Sequence, residues 1–215
     1  MRRGLLVLLA AVLGSLWERS QVEACSCGPA HPQQHVCQSD VVVKGKVVSS
    51  ELISGDGSQW IRYELQQQKV FKGLEKMNSV QYVYTPYTDY LCGLVIQPEN
   101  LNEDFVLSGN IDSDGRLYVT LCGFNKPWAQ VTAAQKMGLN GTYEASCECA
   151  IISCHGLPCS LTADDQCLWT DGLIARDWAG TQAKRFACQP RRSGFCHWEA
   201  LKARFRKRSA RAERH

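Results

Sequence analysis

The pattern of apolar and polar positions separates a leader from the rest of the chain. An apolar run of ten residues, 5–14, follows Arg2 and Arg3, and Val22-Glu23-Ala24 places small residues at a potential cut. This order is typical of a secretory signal peptide over residues 1–24. The run is too short for a membrane anchor, which needs about 20 apolar residues. Cleavage after Ala24 would make Cys25 the first residue of a secreted chain.

The next hundred residues carry mainly β patterns. Gly45 interrupts a β-branched run and marks a bulge or a close approach of two backbones. Ser113-Asp114-Gly115 separates two apolar stretches and predicts a hairpin turn. Five short strands joined by loops of mixed length favour a small closed barrel of the OB type. The strand and hairpin segments are residues 41–48, 61–71, 80–85 and 105–121.

One helix is well signalled in this β-rich region. Thr132 and Gln135 have the spacing of a capping box, and Gly138 is typical of a helix end. The pattern predicts a short helix over residues 133–137, with a start near Pro127 and Trp128 as an alternative. We expect it to pack against the barrel.

Twelve cysteines follow the leader, and seven of them lie between residues 147 and 196. An even number behind a secretory signal predicts six disulfides, although spacing alone leaves their pairing open. The change in density predicts a barrel domain over 25–147, a disulfide-rich subdomain over 148–198 and a tail over 199–215. The cysteines are 25, 27, 37, 92, 122, 147, 149, 154, 159, 167, 188 and 196.

The net charge is +3, and the positive charge is concentrated in the tail. Residues 202–214 hold seven Lys or Arg against one Glu. Such a run is either a solvated end or a patch for sulfated glycans such as heparan sulfate. The candidate glycan contacts are Lys202, Arg204, Arg206, Lys207, Arg208 and Arg211.

No enzyme motif is present: the chain has no H-E-x-x-H, no G-x-S-x-G and no P-loop. His31 and His35 have a metal-ligand spacing, but His31 precedes Pro32 in an expected loop, so a metal site is disfavoured. Residues 112–115, Asp-Ser-Asp-Gly, lack the remaining ligands of a calcium loop and fit a hairpin turn better. The sequence therefore indicates a protein that is not an enzyme.

Two further short motifs have an ordinary reading in a secreted protein. Cys154 and Cys159 resemble half of a zinc site, but a local disulfide fits an oxidising compartment better. Asn140-Gly141-Thr142 is an N-glycosylation sequon just beyond the predicted helix, which makes Asn140 a candidate acceptor.

The stretch from Cys25 to Pro29 has a more specific chemistry. If Cys25 and Cys27 are both in disulfides, the stretch is held at two points, and Pro29 restricts its exit. The tip then carries an α-amine, with a reference pKa of about 7.7 to 8, and a carbonyl oxygen of the same residue. These two atoms can form a five-membered chelate ring on a zinc ion. The alternative is an ordinary N-terminus stapled against fraying.

This start resembles a known family, the tissue inhibitors of metalloproteinases. The resemblance extends from Cys25 to about Trp198. The mature start of that family is C-[ST]-C-x-P-x-H-P-Q, and all twelve cysteines occur in the family's order. The matching segments are "CSCGPAHPQQHVCQSDVVVKGKVV" (25–48), "KVFKG" (69–73), "YTP" (84–86), "LCG" (91–93), "PW" (127–128) and "CLWTD" (167–171).

The resemblance implies a netrin-like OB-type barrel followed by a small disulfide-rich subdomain. It also implies the disulfide pairs Cys25–Cys92, Cys27–Cys122, Cys37–Cys147, Cys149–Cys196, Cys154–Cys159 and Cys167–Cys188.

The same resemblance implies a secreted inhibitor that binds the catalytic domain of matrix metalloproteinases in a reversible 1:1 complex. The amine and carbonyl of Cys25 would chelate the partner's catalytic zinc, so the inhibitor needs no cofactor of its own. Ser26 would enter the pocket beside that zinc. The contact surface would be Cys25, Ser26, Cys27, Gly28 and Pro29 together with Asp89, Tyr90, Leu91 and Cys92.

Disintegrin-type metalloproteinases are further candidate partners, and the basic tail favours retention in the extracellular matrix, whereas nucleic acid and a membrane span are not expected. Two departures from the family limit what carries over. The loop over 50–60 is short, and the basic end lacks the acidic tail of some members, which disfavours docking onto a progelatinase. The alternative function is a netrin-like module that binds matrix or receptors without inhibiting a proteinase.

Overall fold

A computed structural model describes residues 25–55, 57–192 and 194–202. The predicted leader, residues 1–24, and most of the basic tail lie outside these residues. The strands are β1 Val41–Gly55, β2 Ser58–Lys72, β3 Tyr82–Pro86, β4 Asp104–Ile111, β5 Leu117–Tyr118, β6 Lys126–Pro127, β7 Ala150–Ser153, β8 Gln166–Trp169, β9 Phe186–Pro190 and β10 Cys196–Ala200. The α-helices are α1 Pro32–Gln38, α2 Ala133–Met137, α3 Asp171–Ile174 and α4 Thr181–Arg185.

Five strands pair in a closed ring in the order β1-β2-β3-β5-β4, with β4 returning to β1. The β3–β5 pair is parallel and the other pairs are antiparallel. Each strand contributes a buried apolar side chain to the interior: Val43, Leu65, Val83, Leu107 and Leu117. The ring and the mainly β content confirm the predicted fold class.

The first hairpin is much longer than the sequence pattern indicates. The strand expected over 41–48 continues to Gly55, and the expected loop over 50–60 is the paired end of β1 and β2. Leu52 pairs with Ile61 there. Most side chains beyond residue 47 are exposed, so the segment has no apolar alternation to reveal it. Backbone pairing holds this end of the hairpin.

Gly45 lies where the two backbones approach closely, as predicted. A Cβ atom at this position would lie 2.6 Å from Cδ1 of Leu65 and 2.9 Å from the carbonyl oxygen of Gln66. The β1–β2 register also shifts between Lys44 and Gly45. A side chain at Gly45 would therefore push β2 away from β1.

The predicted turn at 113–115 connects β4 to β5. Gly115 has φ +77°, and one carboxylate oxygen of Asp112 accepts hydrogen bonds from the backbone N–H groups of Asp114 and Arg116. The carboxylate of Asp112 therefore stabilises the turn through its own hydrogen bonds, which agrees with a hairpin and not with a calcium-binding loop.

Helix α2 has the predicted bounds, and Thr132 and Gln135 form the predicted capping box. Gly138 follows the helix as predicted, where the backbone continues into a π turn over Gly138–Thr142, but it is glycine for a reason that differs from the expected one. Its backbone stays right-handed, and a Cβ there would lie 2.3 Å from the ring of Tyr143. The left-handed residue is Gly141, at φ +114°. Close packing against Tyr143, and not a left-handed cap, requires glycine at position 138.

Residues after Cys147 form two small two-stranded sheets, parallel β7–β8 and antiparallel β9–β10. Their core contains Trp169, Ala183 and the disulfide Cys167–Cys188. Ala187 of β9 belongs to another cluster, which includes Val36 and Phe124 of the first region. The two regions thus share buried surface, and the division at residue 147 stays a prediction.

The six disulfides of the structure use all twelve cysteines. They are Cys25–Cys92, Cys27–Cys122, Cys37–Cys147, Cys149–Cys196, Cys154–Cys159 and Cys167–Cys188, the pairs implied by the family resemblance. Among the described residues, no helix is both long and apolar enough to cross a membrane.

Candidate functional site

Two disulfides hold the segment from Cys25 to Pro29 against the strand ring. The Cα atoms are 5.2 Å apart in Cys25–Cys92 and 5.3 Å apart in Cys27–Cys122. The sulfur atoms of Cys25 and Cys122 lie 3.9 Å from each other, so the two bridges are adjacent. All of these sulfurs are oxidised, and the cluster therefore offers no thiolate ligand for a metal ion.

Between and beyond these two anchors the segment faces solvent. Ser26, Cys27 and Gly28 are exposed, whereas Cys25 and Pro29 are half-buried. A Cβ at Gly28 would meet no atom within 4 Å. The segment is thus a narrow projection with a tethered base and a free outer edge.

The loop that receives Cys25 is itself ordered by backbone hydrogen bonds. Residues 89–91 form one 3-10 turn, and the N–H of Cys92 donates to the carbonyl of Asp89 at 2.9 Å. Cys92 has φ +63°, a conformation that L residues rarely adopt, and its carbonyl accepts from the N–H of Leu121 at 2.9 Å. Contacts on both sides therefore hold a disfavoured conformation at the cysteine that anchors Cys25.

Gly93 continues this ordered loop. A Cβ at this position would lie 2.0 Å from the carbonyl oxygen of Pro86. Its N–H donates to the carbonyl of Thr88 at 2.8 Å. Only glycine fits there, so the sequence "LCG" combines an anchor with a close backbone contact.

Apolar side chains are exposed beside the projection. Tyr90 is 45% exposed, Leu91 53% and Val95 42%. Tyr90 and Leu91 belong to the turn that Cys92 joins to Cys25, so they lie beside the base of the projection. Exposed apolar groups of this kind are typical of protein-binding surfaces.

The residues after Pro29 form helix α1, and not the loop that we expected. His31 is the N-cap: its Nδ1 accepts from the N–H of Gln33 at 3.2 Å, and its own N–H donates to Oε1 of Gln34 at 2.9 Å. Histidine is not among the usual N-cap residues, which concealed the helix start. Proline at the first helical position and glutamine at the third were the available signals.

His31 also connects the projection to the second region. Its ring is fully buried and lies 5.1 Å from the ring of Trp198 and 5.5 Å from that of Trp169, between centroids. The Nε2 atom lies 3.1 Å from the carbonyl oxygen of Gln182. Both ring nitrogens are engaged by the protein, so the metal site considered at His31 and His35 lacks a free ligand atom.

Gln33 is buried and hydrogen-bonds both to the end of the first region and to β9 of the second. Its Nε2 donates to the carbonyls of Ser146 and Cys188 at 2.9 and 2.8 Å, and its Oε1 accepts from the N–H of Cys188 at 2.8 Å. Gln34 adds a hydrogen bond to the carbonyl of Ile151. No local pattern indicates this role for Gln33, because its partners lie more than a hundred residues away in the chain.

Burial lowers the pKa of His31 to about 4. The hydrogen bonds agree with this direction: Nε2 carries the proton and donates to a carbonyl, while Nδ1 accepts and has no room for a second proton. Burial also lowers the pKa of His35, whose ring stacks on Phe124. Both histidines are neutral in the folded protein at physiological pH.

Comparison of the sequence with known proteins identifies the family of this chain. A family model described as tissue inhibitor of metalloproteinase matches residues 23–198. The chain belongs to this family. The match covers the projection, the Cys92 loop and the second region.

Individual tissue inhibitors are similar along most of the chain. Metalloproteinase inhibitor 4 of Rattus norvegicus is 41% identical over 196 residues, which cover 89% of this chain and 87% of the rat protein. Metalloproteinase inhibitor 3 of Scyliorhinus torazame is 38% identical over 190 residues, 88% and 87% of the two chains. Metalloproteinase inhibitor 2 of Homo sapiens is 37% identical over 199 residues, 90% and 86% of the two chains.

Family membership indicates the general activity, location and class of partner of this protein. The tissue inhibitors are proteinase inhibitors and not enzymes, which agrees with the absence of an enzyme motif. An extracellular location is consistent with the family and with six disulfides. Metalloproteinases are the class of partner that the family name gives.

The remaining predicted positions lie away from the projection. Asn140 is exposed; its Nδ2 donates to the carbonyl of Lys136 at 2.7 Å and its Oδ1 accepts from Lys69. Of the six basic residues proposed for glycan binding, Lys202 is exposed. The other five, Arg204, Arg206, Lys207, Arg208 and Arg211, lie outside the described residues.

The buried His31 predicts that acid weakens the fold. The pKa of His31 is near 6.5 in the unfolded chain and about 4 in the folded protein. Below about pH 6.5 the unfolded chain therefore binds a proton that the folded protein does not, and the contribution of His31 to the unfolding free energy is lost as the pH falls towards 4. The loss should be about 3 kcal/mol in unfolding free energy. Denaturant unfolding of the oxidised protein at pH 7 and pH 4.5 measures it.

The variant His31→Asn keeps a helix cap but cannot titrate. We expect it to be less stable at pH 7 and to lose stability less steeply on acidification, with the remaining slope due to His35. The wild type measured under the same conditions is the control. An equal slope for His31→Asn and the wild type would contradict the role of His31.

Proposed function

We propose that this protein inhibits zinc metalloproteinases through the segment from Cys25 to Pro29. In this proposal cleavage after Ala24 frees the α-amine of Cys25. The amine and the carbonyl oxygen of the same residue then chelate the catalytic zinc of the partner in a reversible 1:1 complex. The zinc belongs to the proteinase, whose open coordination position normally holds water or substrate.

The observation that carries the proposal is the double tether of this segment. Cys25 and Cys27 are bound to Cys92 and Cys122, while Ser26 between them remains exposed. A chelating group that is ordered before binding loses little conformational entropy on association, which favours tight binding. In this proposal the carbonyl of Cys25 coordinates the zinc, and no peptide carbonyl is presented for attack.

Ser26 and the Cys92 loop supply the rest of the proposed contact. Ser26 is the first exposed side chain after the chelating residue, so it would enter the pocket beside the zinc. Its small size should admit many metalloproteinases, including disintegrin-type enzymes. Asp89, Tyr90 and Leu91 would extend the interface, because Cys92 holds their turn next to Cys25.

A second candidate function, matrix retention, concerns the end of the chain. The seven Lys or Arg of residues 202–214 would bind heparan sulfate or other acidic matrix components. A netrin-like module that binds matrix or receptors without inhibition remains the alternative to the first proposal. The inhibitor requires a free α-amine at Cys25, whereas the binding module does not, so blocking this amine distinguishes the two functions.

The first prediction concerns that amine. A protein beginning at Cys25 should inhibit the catalytic domain of a matrix metalloproteinase stoichiometrically. A form with one extra alanine before Cys25 should bind about 1,000-fold more weakly, equivalent to about 4 kcal/mol, because the amine becomes an amide and no longer coordinates zinc. Titration of proteinase activity with each refolded form measures the difference.

Equal inhibition by both forms would contradict zinc chelation by Cys25 and would point to another blocking surface. Inhibition by neither form, with both correctly oxidised, would instead favour the binding module. Unfolding temperatures of the two forms provide the control for folding, since the extra residue leaves every disulfide intact.

Ser26 generates the second prediction. The variant Ser26→Ala should change the inhibition constant by no more than about threefold, because only a solvated hydroxyl is removed. Ser26→Arg should weaken inhibition by about 100-fold, since a long charged side chain would have to enter the pocket. Ser160→Arg, an exposed serine in the second region, is the matched control. A Ser26→Arg variant that inhibits like the wild type would exclude this side chain from the pocket.

The tail generates the third prediction. Truncation after Leu201 removes all seven basic residues of 202–214, so the protein should elute from immobilised heparin at clearly lower salt. Inhibition of the proteinase should not change. Unaltered heparin retention after truncation would reject the tail as the glycan site.

A further inference from the structure

A cleft of about 280 Å³ opens where the two regions meet, directly behind the projection. Its lining includes Pro29 of the projection, Pro32 of α1, and Trp169 and Trp178 of the second region. Phe124 completes the apolar lining. We name this space the junction cleft.

Two lysines line the junction cleft, Lys126 of β6 and Lys184 of α4, together with the neutral imidazole of His35 on α1. No aspartate or glutamate is among its lining residues. Within the described part of the chain, neither lysine has a carboxylate at ion-pair distance. The lining residues therefore carry a net positive charge, while behind the lining the carboxylate of Asp171 accepts hydrogen bonds from Trp169 and Ala183.

Lys126 is the central group of this cluster. Its ammonium lies 4.4 Å from the centroid of the Phe124 ring and is half-buried. Burial first, and the charge of Lys184 second, lower the pKa of Lys126. Both lysines line the same cleft, so an anion bound there would offset their mutual repulsion and the lost hydration of Lys126.

We propose that the junction cleft binds a carboxylate that carries an apolar or aromatic body. The carboxylate would lie between Lys126 and Lys184, and the apolar body would pack against Trp178. Trp178 is half-buried, and its ring lies 4.7 Å from that of Trp169, so one wall is already ordered. Aromatic walls with a few convergent charges are typical of small-molecule sites.

The size of the cleft limits the occupant. A volume of about 280 Å³ is at the lower end of the range for ligand sites, which is roughly 300 to 1,000 Å³. It suits one small molecule or one acidic side chain. The same chemistry could come from a free extracellular carboxylate or from an acidic side chain of a bound proteinase, since Pro29 belongs to both the projection and the cleft.

The test uses phenylacetate as the probe and the oxidised protein beginning at Cys25. We expect saturable quenching of tryptophan fluorescence at millimolar concentrations, and shifts in the Trp178 indole resonance. Phenylacetamide, which has the same shape without the charge, should bind at least about tenfold more weakly. Equal binding of the two compounds, or no saturable binding of phenylacetate, would overturn the proposal.

Matched lysine variants locate the site. Lys126→Met and Lys184→Met keep the aliphatic stem and should each weaken phenylacetate binding by about five- to tenfold. Lys46→Met, a half-buried lysine outside the cleft, and Arg185→Met, the neighbour of Lys184 on α4, should leave binding unchanged. Equal losses of phenylacetate affinity in all four variants would show that binding depends only on the net charge of the protein, and would reject the site. Thermal unfolding of each variant verifies the fold.

The source of the carboxylate is decided with the proteinase present. Loss of phenylacetate binding when a stoichiometric amount of metalloproteinase catalytic domain is added would support an acidic side chain of the partner as the occupant. Undiminished binding in the complex would support a free carboxylate. The binding measurements need no proteinase, so they can fail or succeed independently of the inhibition proposed above.

Discussion

The tether of Cys25 and Cys27 to the strand ring is the constraint on which the candidate site depends. The two bridges close loops of 67 and 95 residues, and loop closure of this size is worth about 4 to 5 kcal/mol each in the chain-entropy description. More important for function, they fix the position of a segment that has few packing contacts of its own. Ser26 and Gly28 are exposed and would otherwise be free to move.

The ring makes this tether possible because it supplies rigid acceptors. Cys92 follows an ordered turn and is held in a left-handed conformation by hydrogen bonds on both sides. Gly93 packs so closely on Pro86 that no side chain fits. The anchor is therefore stiff as well as covalent. In the proposed complex a proteinase would contact a surface that is ordered before binding, which lowers the entropic cost of association.

The second region supports the same segment from behind through buried polar groups. His31 and Gln33 direct their side chains into the junction and are fully hydrogen-bonded there. Buried polar groups contribute to stability only when every donor and acceptor is satisfied, so this contact defines a single arrangement of the two regions. It also leaves the junction sensitive to protonation, because the arrangement requires a neutral imidazole.

The sequence by itself determined the features that depend on neighbouring residues. Thr132 and Gln135 predicted α2 with its bounds, Gly115 predicted the hairpin turn, and the cysteine-rich start pointed to a tethered N-terminal segment. These are local, because capping, turn geometry and a secretory cut each involve a few consecutive residues. Only the tertiary structure decided the length of the β1–β2 hairpin, the burial of His31 as a helix cap and the cleft lined by Lys126 and Lys184. Each of these depends on partners far away in the chain, and apolar periodicity carries no information about hydrogen bonds and charges that meet only after folding.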